Sequence, residues 1–531
     1  MRFPILWKML PTPLPGSKAM RYVQLWWMFG LVLGGGGRLS TAAPKSGQTL
    51  VVRLQDLIAA AYVGSSELKS IGTALLTKDA SRYAVDAALA PAVYARSTYG
   101  VQNPPPADTT TDFLLEQRTS STQVLGARLP TAYGGLWELS ATHQTSALEG
   151  VLQNTGLPVD PTVERDMGQF ALDLNYRQSL WRNAFGRGTT MQRQAAVAEA
   201  QATQGRVDDE MQAWVVQLAS RYTGIWEVQR RWAAARSRLQ VFAQLLRAVE
   251  AKAQLGTADE ADVLQIRANI TQLEDEIARL EHTLMDTWEA LVIALGLDKS
   301  YLAYTAATID VVLEFAQADE VGRQCAAAKP PQAGGGQLQA LEQELRSLRL
   351  NMQLLAENTK PELSLSARVN LAGTGQSAAG ALDQAGEGKY PHWEVGLHFS
   401  TPIGVQPPHV EKMRLMARAE SVRHRLQGLQ GQRQTEWQQI CSGYRLAQQR
   451  GRRLRKLVAL QEQRAQIQRR RFDLGDTDMS QVTSALADLT TAQVQWRLVE
   501  AERHQLLWRY RQYTDSVRHA IRPLTGKGKS S

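Results

Sequence analysis

Two histidines and a glutamate share one face of a predicted strand and are the side chains of this sequence best suited to bind a metal ion. His392, Glu394 and His398 fall at even spacings, and imidazole nitrogen and carboxylate oxygen are common metal ligands. The same three residues also suit an ordinary polar strand face that meets water, which is the interpretation we favour. The sequence therefore predicts no metal site.

Motifs for catalysis are missing from the sequence. The eight histidines include no HExxH arrangement, and no GxSxG nucleophile turn occurs. The C-terminal TGKGKSS lacks the upstream glycine and the downstream helix of a phosphate-binding loop. We therefore predict that the protein is not an enzyme and requires no cofactor.

Charge and hydropathy narrow the class of protein further. The 531 residues include 44% apolar and 21% charged side chains, with a net charge of +9. A basic chain can bind nucleic acid, but these arginines are spread along helix faces and the chain start indicates export, so we predict no nucleic-acid partner. Beyond that start no run of 18 apolar residues occurs, which predicts no membrane-spanning helix.

The two cysteines give no sign of a shared site. Cys325 and Cys441 have no CxxC spacing and no metal ligands beside them in the sequence. We predict two unpaired thiols, either buried or on the surface.

The chain start resembles a cleaved export signal. A hydrophobic segment at 22–33 follows Arg21 and precedes the small residues STAA, and its 12 residues are too few for a spanning helix. Met20 could be the true start. A membrane anchor or a chance hydrophobic segment are the alternatives.

Strict alternation of apolar and polar residues predicts strands with two different faces. One such strand lies around 169–180 and a second around 392–404. In a soluble sheet the apolar face would cover a core, whereas in a membrane barrel it would contact lipid and the polar face would contact water. The apolar set is Phe170, Leu172, Leu174, Tyr176, Trp393, Val395, Leu397 and Phe399; the polar set is Asp173, Asn175, Arg177, Glu394 and Ser400.

Each of these strands has a predicted partner that begins at a proline, Pro91 or Pro361, where a missing N–H is tolerated. The first pair is separated by a longer stretch of chain than the second, with an insert at roughly residues 103–163. That insert either adds a hairpin to the sheet or forms a surface loop, and the sequence does not decide between them.

Long helices follow the strands. Residues 189–254 contain no proline and read as one helix of 66 residues, or ~100 Å at ~1.5 Å per residue. Apolar positions at steps of three, four and seven continue after Gly256, which predicts an antiparallel pair of helices. Residues 409–472 and the chain beyond Gly475 repeat the arrangement. Four glycines weaken the second long helix by ~1 kcal/mol each unless close packing compensates: Gly428, Gly431, Gly443 and Gly451.

A constant offset indicates two internal repeats. The tip glycines, Gly256 and Gly475, are separated by almost the same length of chain as the strand ends near Gly186 and Gly404. The predicted organisation is a signal segment at 1–43, a first repeat at 44–300, an inter-repeat segment at 301–336, a second repeat at 337–515 and a basic tail at 516–531.

These strand pairs, long helices and LGxxxxxxV tips resemble the TolC-type outer-membrane efflux protein family over about residues 48–515. Four strands cannot close a membrane barrel, whose smallest examples have eight. The resemblance implies a homotrimer in which four strands per chain build a twelve-stranded barrel in the outer membrane, continued by a helical cylinder through the periplasm. The polar set would then line the lumen and the apolar set would face lipid or the neighbouring chain. The implied fold class is α+β and mostly α.

The resemblance also implies a role for the helical tips. In the family these turns dock a periplasmic adaptor protein, which joins the channel to an inner-membrane transporter. By position the docking residues are Leu255, Gly256, Thr257, Leu474, Gly475 and Asp476. An acidic aperture would fall on Asp259, Asp262, Asp478 and Gln481, and the glutamine departs from the acidic residue that the family tends to have there.

The predicted function is therefore a passive exit channel in the outer membrane of a Gram-negative cell envelope, serving efflux or type I secretion. The alternative is an exported periplasmic coiled-coil scaffold or adaptor, whose strands would form a soluble sheet without a pore.

Overall fold

A computed structural model describes residues 49–517, apart from the segments 104–112, 153–161, 256–258, 314–317, 328–334, 376–377, 389–390, 402 and 404–406. The predicted signal segment and most of the basic tail lie outside the described residues, as do Gly256, Thr257 and Gly404.

Six strands form one antiparallel sheet, in the order β2-β3-β4-β5-β7-β8. The strands are β2 (Ala92–Gln102), β3 (Phe113–Pro130), β4 (Gly135–Leu152), β5 (Thr162–Ser179), β7 (Glu362–Gly375) and β8 (Pro391–Ser400). β2 and β7 begin directly after Pro91 and Pro361, as predicted. A separate parallel pair joins β1 (Leu50–Val52) to β6 (Ile309–Val311).

The predicted count of four strands per chain is wrong. The insert at 103–163 contributes β3 and β4, which lie between β2 and β5 and hydrogen-bond to both. Their polar middle sections, such as Gln117–Gln123, have no apolar alternation, because hydroxyl and amide side chains occupy both faces. The insert is therefore part of the sheet and not a surface loop.

Helices make up most of the remaining chain. The short ones are α1 (Leu54–Gly64), α2 (Ser66–Thr77), α3 (Ala80–Ala88), α6 (Ala318–Ala326) and α8 (Ala378–Gly386); the long ones are α4 (Arg187–Gln254), α5 (Glu260–Leu295), α7 (Gly336–Asn358), α9 (Pro407–Asp473) and α10 (Met479–Tyr513). α4 has 68 residues and α9 has 67, which confirms the two predicted long helices. Among the described residues, no helix is sufficiently long and apolar to cross a bilayer.

Four long helices pack side by side in the order α5-α4-α10-α9, so that α5 and α9 are the edges of the layer. Apolar residues of α4 and α5 face each other as the heptad pattern predicts, and Phe242, Val249 and Ile266 are fully buried between them. α7 packs against α4 and α9 nearer the sheet. At the tip end of the layer, α5 and α9 are therefore the outermost helices.

The largest core cluster lies around the small sheet of β1 and β6. The Tyr222 hydroxyl of α4 donates hydrogen bonds to the carbonyl oxygens of Val52, at 2.8 Å, and Val312, at 2.5 Å. Trp288 of α5 is 1% exposed and donates from its indole N–H to the carbonyl oxygen of Tyr301 at 2.9 Å. These contacts fix the chain around residues 301–312 against α4 and α5.

The cysteines form a disulfide, so the prediction of two unpaired thiols is wrong. Cys325 of α6 and Cys441 of α9 have their Cα atoms 5.4 Å apart and are separated by 116 residues. Val321 of α6 is buried beside Tyr444 of α9, which brings the two helices into contact. The short helix α6 is thereby joined covalently to the second long helix.

The four glycines of α9 have different surroundings. A Cβ on Gly443 would lie 3.3 Å from Leu506 and one on Gly451 would lie 3.6 Å from Val499, so both pack closely against α10. Gly428 and Gly431 have no described atom within 4 Å of that position. The packing expected to offset the glycines is therefore present at two of the four.

Candidate functional site

The six-stranded sheet has one polar and one apolar face. Strand register aligns Asp173 with Asn370, Asn175 with Arg368, and Arg368 with Glu394, and these side chains share a face. Arg177 and Ser400 lie on the same face by the two-residue period of their strands. All five residues of the predicted polar set are therefore brought together on one face.

Hydrogen-bonded ion pairs organise this polar face. Arg368 donates from Nε to Asp173 Oδ1 at 2.7 Å, and Asn370 donates to the same oxygen at 2.8 Å. On the neighbouring strands, Arg128 donates to Glu138 Oε1 at 2.9 Å and the Tyr94 hydroxyl donates to it at 2.6 Å. The second cluster lies on strands β2, β3 and β4, and the sequence did not reveal it because it left open whether the insert forms strands or a surface loop.

The opposite face is apolar and exposed. All eight residues of the predicted apolar set lie on it, since Leu174 pairs with Val369 and Val369 pairs with Trp393. Trp393 is 73% exposed and Leu397 is 70% exposed. Further exposed apolar side chains extend this face across the other strands: Val93, Tyr99, Leu125, Leu129, Trp137, Leu139 and Val369. A soluble monomer seldom exposes a contiguous apolar surface of this extent.

Aromatic residues gather where the sheet joins the helices, which we call the helical end of the sheet. The rings of Trp137 and Tyr176 have centroids 4.3 Å apart, and those of Trp181 and Phe399 are 6.5 Å apart. Aromatic girdles of this kind mark the margin of the apolar band in outer-membrane barrels.

The strand-to-helix connection after β5 contains three residues with positive φ: Asn183, Phe185 and Gly186. Asn183 accepts a hydrogen bond from the Thr189 N–H at 3.0 Å and so satisfies a free donor in the first turn of α4. The turn between β3 and β4 lies against this connection, because a Cβ on Gly186 would collide with the carbonyl oxygen of Ala132. Glycine is thus required at 186 for both conformation and space.

The sheet has two unpaired edges among the described residues. β2 pairs only with β3, and β8 pairs only with β7. Pro391 begins β8, and Arg96 is the one charged residue of β2. Both edges therefore offer main-chain hydrogen-bonding groups with few of the charged residues that normally protect an edge strand.

The second helical tip is a Schellman motif. The Asp476 N–H donates to the carbonyl oxygen of Arg471 at 2.8 Å, and the Gly475 N–H donates to that of Phe472 at 3.1 Å. Gly475 has φ +84°, which the motif requires at this position. Leu255 and Leu474, one at each tip, are 79% and 77% exposed.

Acidic residues of both tips come close to each other. Partial burial raises the pKa of the Asp262 carboxyl, and the carboxylates of Asp259 and Asp478 raise it further. Asp259 also caps α5 by accepting a hydrogen bond from the Ala261 N–H at 3.1 Å. Gln481 is exposed in the first turn of α10. Among the described residues, no three His, Cys, Asp or Glu side chains are placed to hold a metal ion.

Solved structures with this fold are outer-membrane proteins. The chain is 14% identical to the outer membrane protein VceC from Vibrio cholerae, with a TM-score of 0.59 over 87% of this chain and 95% of that one. It is 12% identical to the Campylobacter jejuni CmeC outer membrane channel, with a TM-score of 0.56 over 90% of this chain and 93% of that one. It is 15% identical to the outer-membrane channel OprN, with a TM-score of 0.53 over 91% of this chain and 98% of that one.

These likenesses establish the fold. The chain has the fold of outer-membrane channel proteins, mostly helical with a six-stranded sheet, and the resemblance seen in the sequence is confirmed at that level. No protein-family description matches the sequence, and no curated protein matches it.

Proposed function

We propose that this protein is a channel of the outer membrane. The two-faced sheet carries the proposal, because its apolar face is exposed while its polar face is organised by ion pairs. In a membrane barrel the first would contact lipid and the second would line a water-filled lumen. The disulfide between Cys325 and Cys441 suits an oxidising compartment such as the periplasm.

Several copies of the chain share the barrel. An even number of antiparallel strands means that β2 and β8 run in opposite directions, so β8 of one copy can pair antiparallel with β2 of the next. Repetition of this contact closes a ring without leaving an edge. The apolar face then lies outside and the polar face inside. We propose three copies, as the family resemblance implies.

The edges of the helical layer favour the same head-to-tail contact. α9 contains 16 Lys and Arg against five Asp and Glu, whereas α5 contains two Lys and Arg against eight Asp and Glu. The number of residues from Lys456 to the end of α9 is about the same as the number from the start of α5 to Glu276. The two residues are therefore at the same height when the tips of neighbouring copies are aligned. Opposite charge on the two edges would attract neighbouring copies and fix their order.

The proposed role is a passive exit for solutes in efflux or secretion. A periplasmic adaptor would contact the tips at Leu255, Gly256, Thr257, Leu474, Gly475 and Asp476, and an inner-membrane transporter would supply the solute. The exposed leucines of the two tips support a docking role, since exposed apolar residues rimmed by polar ones mark interaction sites. The acidic residues near the tips would form the periplasmic aperture.

Membrane fractionation tests the proposal against the alternative, an exported periplasmic scaffold without a pore. We expect the protein to co-sediment with outer-membrane markers, to resist a urea wash, and to be released by detergent. Recovery in the periplasmic extract without detergent would contradict the channel and support the scaffold. The variant Leu172→Arg is a useful companion, because it should reduce recovery from the membrane only if that face contacts lipid.

A further inference from the structure

The hairpin formed by β3 and β4 bears on which solutes can leave through the proposed channel. We propose that this hairpin widens the exit, so that the channel passes bulky hydrophilic solutes which a ring of four strands per chain would exclude. The inference rests on the proposed function, since it presumes that the sheet closes into a shared barrel.

The hairpin is a full component of the sheet. β3 and β4 each have 18 residues, more than β2 with 11 or β8 with 10. β4 pairs with β5 without interruption from Gly135 to Val151, and β3 pairs with β2 along the whole length of β2. Removal of β3 and β4 would leave β2 and β5 as direct neighbours, so the hairpin adds two strands to the circumference.

The helical end of the hairpin is fixed in place. The turn residue Gly134 has φ +75°, and a Cβ there would lie 2.7 Å from the carbonyl oxygen of Asn183. Gln178 of β5 donates to the carbonyl oxygen of Tyr133 at 2.9 Å. The turn is thus seated on the connection from β5 to α4 and cannot swing away from the ring.

The two additional strands change the calibre substantially. With strands ~4.8 Å apart and tilted by ~40°, a ring of 18 strands is about 36 Å across between opposite backbones, whereas a ring of 12 is about 24 Å across. Side chains occupy about 5 Å on each wall, half the spacing of two packed sheets. The open widths are therefore about 26 Å for the wider ring and about 14 Å for the narrower one.

The described helix between β7 and β8 does not lie on the polar face. α8, between β7 and β8, packs on the other side, because a Cβ on Gly373 would collide with the carbonyl oxygen of Ala381, and Gly373 shares the apolar face with Leu371 and Val369. Ala381 and Ala385 of α8 are buried by this contact. The described portion of this loop therefore lies outside the proposed ring.

Thiol labelling from outside the cell tests the calibre. Cys325 and Cys441 are paired, so a cysteine introduced on the strands is the reactive thiol. Ser366→Cys, on β7, places it on the polar face, and Ala367→Cys places the matched control on the apolar face. The probes are a small maleimide and maleimide–polymers graded from about 10 to about 30 Å in width, which span the two calibres. A second chain lacks residues 104–152 and hence both strands.

We expect the small maleimide to label Ser366→Cys in both chains. Polymers of about 20 Å should label it in the complete chain and not in the shortened one. If polymers wider than about 14 Å fail to label the complete chain, the proposal that the hairpin widens the exit is wrong. The proposal of a channel is not affected by that result. Failure of the small maleimide at Ser366→Cys would instead contradict the channel. If the shortened chain does not assemble, the width of the largest polymer that labels the complete chain decides between the two calibres.

Discussion

Lys252, near the end of α4, donates a hydrogen bond from Nζ to the backbone carbonyl oxygen of Phe472 at 2.9 Å, and its ammonium lies 4.4 Å from the centre of that ring. The contact joins the last turns of α4 and α9, although the two residues are 220 residues apart in the chain. It gives the Phe472 carbonyl, which also accepts from the Gly475 N–H, a second donor. Two helical pairs from different halves of the chain are therefore held together at their tips.

Loss of this contact should loosen the tips without unfolding the chain. We expect Lys252→Met to cost about 1 kcal/mol locally, because it removes a charge-assisted hydrogen bond and a cation–π contact. Amide hydrogen exchange around residues 470–478 should then become about fivefold faster. Arg267→Met, which breaks the exposed pair between Arg267 and Glu250, is the control and should change exchange little. Equal effects of the two variants would contradict a specific role for Lys252.

The second tip can be altered with little effect on the fold. A Cβ on Gly475 would meet no described atom within 4 Å, so Gly475→Trp should cost only the ~1 kcal/mol of the positive φ. We expect Gly475→Trp, alone or with Gly256→Trp, to give normal amounts of membrane-inserted protein that no longer supports export. Gly475→Asn, which tolerates this φ, should retain export. Normal export by the tryptophan variants would remove the tips from the docking role.

The assignment of the two sheet faces predicts opposite effects on assembly for substitutions on the apolar and the polar face. Leu172→Arg and Leu397→Arg should reduce the yield of assembled protein, since an arginine facing lipid at mid-bilayer costs ~2–4 kcal/mol. Asn175→Arg should assemble normally, because its register neighbours on the polar face are Glu138 and Arg368. The yield of outer-membrane oligomer measures both. An equal loss of yield at Asn175 would show that the two faces are assigned wrongly.

A buried histidine should make the helical layer sensitive to acid. Burial lowers the pKa of His504 to about 4, and Arg511 contributes to the lowering. Its Nδ1 lies 3.0 Å from the Thr223 hydroxyl, which itself donates to Ala219, and its Nε2 accepts from the Trp508 indole at 3.3 Å. Both partners suit the neutral ring with its proton on Nδ1, because the Thr223 hydroxyl can accept that proton and the Trp508 indole donates to Nε2. A second proton on Nε2 would point at the indole N–H, which cannot accept it.

The sign of the pH dependence follows from these two states. The unfolded histidine binds its proton near pH 6.5, and the folded one binds it near pH 4, so the stabilisation present above pH 6.5 is lost as the pH falls towards 4. The loss is about 3 kcal/mol at most. We expect His504→Gln to flatten the fall of the unfolding midpoint between pH 7 and pH 4.5, while exposed His282→Gln should leave it unchanged. If the unfolding midpoint falls equally steeply in both variants, a group other than His504 causes the acid sensitivity.

Neighbouring copies should be close enough to cross-link along the helical edges. The double variant Glu276→Cys with Lys456→Cys, treated with a short bismaleimide, should give covalent oligomers that end at three chains. Each single variant should give none, because cross-linking requires α9 of one copy beside α5 of the next. Covalent oligomers that end at two chains, or the absence of any cross-linked product, would contradict the proposed ring.

The sequence was informative wherever its pattern is local and periodic. Alternation divided Phe170 to Arg177 and Trp393 to Ser400 between the two faces as the sheet does, and the heptads gave the long helices within a few residues. The sequence left the hairpin of β3 and β4 undecided against a surface loop, because the polar middle of β3 has no alternation. The disulfide and the contact of Lys252 with Phe472 escaped because their partners are 116 and 220 residues apart, and only the packed helices bring them together.

Electron cryo-microscopy of the detergent-extracted protein tests most directly whether several chains share one membrane barrel. Viewed along its axis, the particle should have threefold symmetry and a closed ring of 18 strands, with β8 of each copy beside β2 of the next. Three copies of a six-stranded sheet require that number. A monomer whose sheet is covered by its own helices, or a dimer with 12 strands, would contradict the account.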